Sequence, residues 1–211
     1  MLKWNQIPLG PLQTNCYVME KAEKCVIVDP GGEGDKLIQY IQTKKWQPIA
    51  ILLTHAHFDH IGAVDVIRDY YQIPVYLHEK EAKWLVDAAL NGSQSFTPGH
   101  PIKIKPADQM ITNEFDLVLG EFHFTVLETP GHSPGSVSYY LRDEGMIFSG
   151  DVLFQQSVGR TDLRGGNEQQ LLTSIHEKLL VLPEDTIVLP GHGPITNISD
   201  EMNQNPFLNG F

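Results

Sequence analysis

The sequence predicts an α/β chain, a four-layer αβ/βα sandwich in which two mixed β-sheets carry helices on their outer faces. Two observations predict it. Apolar runs of strand length, bounded by Gly, Pro and Asp, recur through both halves of the chain. Segments with helical spacing of apolar residues fall between them, and the second half repeats the rhythm of the first. No linker of disordered composition separates the halves, so residues 1–211 are expected to form a single domain.

The elements follow in order. "NCYVME" and "KCVIVDP" are rich in β-formers, and "DPGGEGD" after them supplies turn chemistry. "DKLIQYIQTKKW" places Leu37, Ile38 and Ile41 on one helical face, with Asp35 as the expected N-cap. "PIAILLT" is a continuous apolar run, as in a strand buried on both faces. After a histidine-rich stretch come a helical "GAVDVIRDYYQ", a short strand "VYLH", and "EKEAKWLVDAALNG", expected to be a helix closed by Asn91 and Gly92. From Phe96 to Met110 the chain reads as loop. "FDLVLG", "FHFTVLETPGH", "SVSYYL" and "GMIFSGD" are strand candidates. A helix "NEQQLLTSIHEKLLVL" and a last strand "DTIVLPGHGP" complete the series. The terminal "NPFLNGF" is apolar enough to dock on its own domain.

Composition narrows the function classes. The formal charge of −11 disfavours sequence-independent binding to nucleic acid, which needs clustered Lys and Arg. No secretory signal and no run of about 20 apolar residues is visible, so neither export nor a membrane span is expected. The two cysteines, Cys16 and Cys25, form no disulfide framework and suit a reducing cytoplasm as buried thiols. The expected partner is therefore a small molecule, with neither nucleic acid nor membrane.

The chemistry concentrates in "LLTHAHFDHIGA", Leu52 to Ala63. Where a strand ends near Thr54, His55 and His57 lie two apart and can project the same way. Asp59 and His60 follow as the chain turns into a helix. Imidazole and carboxylate suit divalent cations such as Zn²⁺, and this set makes a nest for two of them. Three later segments share the grammar of an apolar strand delivering one donor at its end: His132 in "VLETPGHSPGS", Asp151 in "MIFSGD" and His192 in "TIVLPGHGP". Asp151, with two carboxylate oxygens, could bridge a cation pair. His78, His100, His123 and His176 fit no such position.

These elements, THAHFDH, the GH of TPGHSPGS, the GD of FSGD and the GH of LPGHGP, resemble those of the metallo-β-lactamase fold hydrolases, in family order and over nearly the whole chain. The resemblance implies that His55, His57 and His132 bind one metal, that Asp59, His60 and His192 bind a second, and that Asp151 bridges them. It also implies that Asp29 in "VDPG" supports the ligand shell, a turn role being the alternative. Two divalent ions are then expected, Zn²⁺ first, with Fe²⁺ or Mn²⁺ as alternatives. A hydroxide bridging them would attack a carbonyl, aimed by Asp59 as the catalytic carboxylate. No G-x-S-x-G elbow competes with this chemistry.

Within the family the chain is similar to the short bacterial glyoxalase II-like hydrolases, which implies a thioester substrate such as S-lactoylglutathione. True dizinc lactamases commonly carry Cys where this chain has Asp151 and are secreted, which counts against that branch. Only 19 residues follow His192, so the C-terminal helical region of the longer glyoxalase II enzymes is missing or replaced. "VGRTDLRGG" is similar to a segment of persulfide dioxygenases, which implies as an alternative a single iron at His55, His132 and Asp151. Arg160 in that segment could hold a substrate carboxylate through its planar fork, or simply pair with Asp162. A lactonase, or a metal-binding scaffold without turnover, completes the alternatives.

Overall fold

The computed structural model describes residues 1–208 and divides into two compact units. The first comprises residues 1–112 with the turn at 119–122, the second residues 113–118 with the chain from 123 onward.

The first unit is built on one six-stranded sheet in the order β1-β2-β3-β4-β5-β6. β1 (Lys3–Leu9), β2 (Thr14–Lys21) and β3 (Lys24–Val28) form an antiparallel meander. After α1 (Gly34–Lys44) the chain enters β4 (Gln47–Leu52), parallel to β3. α2 (Phe58–Ile61) and α3 (Val64–Tyr71) then lead to β5 (Val75–His78), and a short α4 (Ser93–Phe96) precedes β6 (Gln109–Ile111). β4, β5 and β6 run parallel. The apolar runs become buried strands because they can shed water on both faces: Val26, Ile27, Ile51, Leu52, Val75 and Leu77 are all fully buried. Leu37, Ile38 and Ile41 of α1 complete this core, as their spacing requires.

The second unit holds the other six-stranded sheet, in the order β14-β13-β10-β9-β8-β7. Its strands are β7 (Phe115–Leu119), β8 (Phe122–Glu128), β9 (Val137–Leu141), β10 (Met146–Gly150), β13 (Ile187–Pro190) and β14 (Thr196–Asn197). β11 (Leu153–Phe154) and β12 (Ser157–Val158) form a small antiparallel hairpin. α5 (Glu168–Ser174) starts at Asn167, whose side chain accepts from Gln170 N, and continues into a π-helical turn at Ile175–Leu179. α6 (Ile198–Gln204) starts in the same way, Asn197 accepting from Asp200 N. Leu171, Leu172, Ile175, Val188 and Ile198 are among the core residues of this unit.

The expected pair of mixed sheets with helices is present. Three local expectations fail for physical reasons. Glu33, in the left-handed region at φ 50°, is the cap of α1, and Asp35 lies inside its first turn. "EKEAKWLVDAALNG" is a 3₁₀ turn at Glu79–Glu81 followed by further turns rather than a regular helix. Tertiary hydrogen bonds compete with the helical ladder there: Asn91 Nδ2 donates to both Trp84 O and Ile102 O. The strands β1, β6 and β14 and the β11–β12 hairpin are too short or too weakly patterned to announce themselves. Of the terminal "NPFLNGF", Leu208 is buried in the second unit's core, while residues 209–211 lie outside the described residues. No helix among the described residues is long and apolar enough to cross a membrane.

Candidate metal centre

Strand direction explains where the donors lie. In the first unit β3, β4 and β5 are parallel neighbours, so their C-terminal ends share one edge of the sheet. Asp29 follows β3, the histidine-rich stretch follows β4, and His78 with the Glu79–Glu81 turn follows β5. His57, in extended backbone, is the N-cap of α2, so His55 and His57 come from extended chain while Asp59 and His60 sit on a single helical turn. The donor atoms of His55 and His57, of His55 and His60, and of Asp59 and His60 lie within 4.8 Å of one another.

Two glycines allow this packing. A Cβ on Gly31 would lie 1.8 Å from Asp59 O, and one on Gly62 would lie 2.3 Å from Gly31 O. The turn "DPGG" therefore touches the backbone of the donor stretch, which no larger residue permits.

Hydrogen bonds lock the imidazoles. Asp29 accepts from Thr54 N–H through Oδ1 (2.8 Å) and from the Thr54 hydroxyl through Oδ2 (2.6 Å). Because Thr54 spends its hydrogen there, its oxygen accepts from His55 Nδ1 at 3.1 Å. Asp29 Oδ2 also accepts from His60 Nδ1 at 3.0 Å. In both rings the proton is thus assigned to Nδ1, and Nε2 carries the lone pair. Thr14 Oγ1 donates to Asp59 Oδ2 at 2.9 Å and orients that carboxylate.

The second unit repeats the device. β8 and β10 both run antiparallel to β9, and β13 runs parallel to β10, so β8, β10 and β13 end at one edge. His132, Asp151 and His192 lie just beyond those three ends. His132 Nδ1 lies 2.8 Å from the carbonyl of Arg160, which can only accept, so His132 too presents Nε2. Asp151 Oδ2 is 3.6 Å from both His132 Nε2 and His192 Nε2. A Cβ on Gly159 would fall 1.9 Å from Asp151 O, so the glycine of "VGRTD" lets that loop lie against the Asp151 backbone.

A histidine that donates one ring N–H to a fixed acceptor and offers the other nitrogen has the arrangement of a metal ligand. His55, His60 and His132 all meet it, and the nitrogen and carboxylate oxygen set fits borderline divalent cations. The Arg160 side chain makes a bidentate pair with Asp162, at 2.7 Å for each bond, and this pairing holds the Asp162 carboxyl down at about 2. Of the remaining histidines, His78 is buried and accepts from Lys80 N, while His100 and His123 are exposed. Thr14, Glu81 and Trp84, which approach the donor stretch, carry no signal in sequence, since they sit tens of residues away in unremarkable contexts.

The chain is 58% identical to a probable metallo-hydrolase, YqgX, of Bacillus subtilis, over 100% of this chain and 99% of that protein. It is 36% identical to the hydroxyacylglutathione hydrolase GloC of Haemophilus influenzae, over 96% of each. Among solved structures, the BLEG-1 B3 metallo-β-lactamase is similar at 60% identity and a TM-score of 0.96, over 99% of this chain and 100% of that one. TTHA1623 in a di-iron-bound form is similar at 42% identity and a TM-score of 0.86, over 97% and 100%. The family model of the metallo-beta-lactamase superfamily matches residues 9–192, from the last residue of β1 to the last histidine of the donor set, and the chain belongs to that superfamily.

Proposed function

We propose that this metallo-hydrolase cleaves acyl thioesters of small thiols at a dinuclear centre. In this reading His55, His57 and His132 hold one cation, Asp59, His60 and His192 hold the other, and Asp151 is shared. The observation that carries it is the fixed tautomer of His55, His60 and His132, each with Nδ1–H engaged and Nε2 presented. The two units then act as one functional domain, and the proposed setting is the cytoplasm. We take zinc as the cation; the di-iron form of TTHA1623 makes iron the alternative to measure.

Divalent cations held by these residues would supply an acidified water and a Lewis acid for the substrate carbonyl. The chain's own residues do the rest. Asp59, oriented by the Thr14 hydroxyl at its Oδ2, would take up the proton of the attacking water. Asp29 holds His60 and, through Thr54, His55, so neither ring has to reorient during turnover. A thiolate leaves readily, so no strong side-chain acid is required. Arg160, whose Nε and Nη2 donate to Asp162, would meet a substrate carboxylate in competition with that partner or through its Nη1 side.

The test is the loss of thioester absorbance when metal-loaded protein meets S-lactoylglutathione, with His132→Ala as control and metal content measured in parallel. Turnover abolished by the substitution is the expected result. No turnover by fully loaded protein overturns the thioester reading. A second reading, hydrolysis of a β-lactam amide, is favoured by the similarity to BLEG-1. A chromogenic cephalosporin assayed on the same preparation tests it, and oxygen uptake with glutathione persulfide tests the mononuclear iron alternative.

A further inference from the structure

Glu81 is completely buried, and its Oε2 accepts a 2.6 Å hydrogen bond from the backbone N–H of Ala56. Ala56, itself fully buried, is the single residue between His55 and His57. Three residues further on, Trp84 packs its ring against His57, with centroids 5.5 Å apart and planes at 42°. The two contacts come from one turn, because Trp84 N–H donates to Glu81 O at 2.8 Å. Asn91 anchors the same segment, donating to Trp84 O while its own carbonyl accepts from Phe58 N–H at 3.0 Å. The donor stretch is therefore held at three successive residues, Ala56, His57 and Phe58, by the segment that follows β5.

A buried carboxyl group is costly to desolvate, so one placed against the peptide between His55 and His57 calls for a reason. Its 2.6 Å bond to Ala56 N–H fixes the orientation of that peptide. That peptide sets the angle between the two side chains flanking it, and the His55 and His57 rings stand edge-on at 90°, with centroids 4.8 Å apart. Trp84 then limits the rotation of His57.

We infer that Glu81 and Trp84 are positioning residues, whose contacts with Ala56 and His57 set the geometry, and hence the affinity, of the pocket that takes His55 and His57 as ligands. The inference rests on the dinuclear reading above. A positioning group of this kind acts through the ligands and typically shifts metal affinity by about 10–100-fold.

The test is titration of metal-free full-length protein with Co²⁺, following visible d–d absorption and counting bound metal. Glu81→Ala and Trp84→Ala should each weaken one of the two cobalt equivalents by at least about tenfold and alter the d–d bands. Glu81→Gln, which keeps an acceptor oxygen at the same reach, should retain both equivalents. Glu81→Asp, which keeps the charge but shortens the reach, should lose affinity as the alanine variant does, and it serves if Glu81→Ala fails to fold. Wild-type spectrum and affinity in Glu81→Ala or Glu81→Asp overturn the inference, whatever their melting temperatures. So does a loss in Glu81→Gln as large as in Glu81→Ala. Failure of the dinuclear reading shows differently: wild-type protein would bind fewer than two equivalents, or His57→Ala would leave the spectrum unchanged.

Discussion

Asp29 is the residue on which most of the first unit's donor geometry converges. One carboxylate accepts from Thr54 N–H, the Thr54 hydroxyl and His60 Nδ1. Asp29→Asn places an N–H against groups that donate, leaving buried donors unmatched. It should cost roughly 1–3 kcal/mol in urea unfolding and lower metal affinity. An unchanged midpoint would show that the network reorganises without loss. Arg160 and Asp162 sit at the opposite extreme of exposure. The Asp162 carboxyl is depressed to about 2 by the guanidinium. With a folded value below the unfolded one, the pair's contribution is present above about pH 4 and lost as pH falls through about 2, but solvent screening at this exposed position makes it negligible. Both groups are exposed and screened, so Asp162→Asn should leave the melting temperature at pH 7 unchanged. Its visible effect should be a lower KM for a thioester bearing a carboxylate, because Arg160 is released. An unchanged KM would return Arg160 to a purely surface role. Burial acts on the cysteines in the other direction, raising Cys16 well above its ordinary value and pushing Cys25 up to about 12. Neither thiol should react with a disulfide reagent at pH 8 until the chain is unfolded in guanidinium.

Elements contribute through where they end. Parallel β3, β4 and β5 bring Asp29, His55 and Glu81 to one edge, although these residues are 26 positions apart or more. Similarly, β8, β10 and β13 bring His132, Asp151 and His192 to one edge. The turns leaving these ends have little spare volume. A Cβ at Gly131, whose φ is +139°, would meet Leu171 Cα at 2.3 Å at the start of α5. Gly131→Ala should therefore separate the His132 turn from α5 and destabilise by about 1–3 kcal/mol or more. Thermal melting reads that cost directly. A stability equal to wild type would mean that α5 shifts freely, contrary to the burial of Leu171 and Leu172.

At the scale of the molecule, each unit has its own sheet and its own core. Ligands that bind only the folded state stabilise it by mass action, about 2.7 kcal/mol at a free concentration of roughly 100 Kd. Dialysis of metal-loaded protein against a chelator should then lower the melting temperature read by calorimetry. Identical traces before and after chelation would mean that no cation stabilises the folded chain.

The sequence by itself determined the fold class, the strands that lead into the candidate donors, and the seven residues proposed as donors, which lie at strand ends or on the short helix after β4. It could do so because a buried strand is a continuous apolar run and because three histidines and an aspartate in six positions have few packing explanations. Tertiary structure alone decided which nitrogen each imidazole presents, since that depends on Asp29, Thr54 and the Arg160 carbonyl arriving from other segments. It also decided that Glu79 onward would not be a regular helix. Local periodicity favours one there, but the buried Glu81 carboxylate and the Asn91 amide bond backbone groups that a helix would not bring within reach. Hydrogen bonds between distant segments leave no trace in local periodicity, and that is why the candidate donors and Asp29 were legible while Thr14, Glu81 and Trp84 were not.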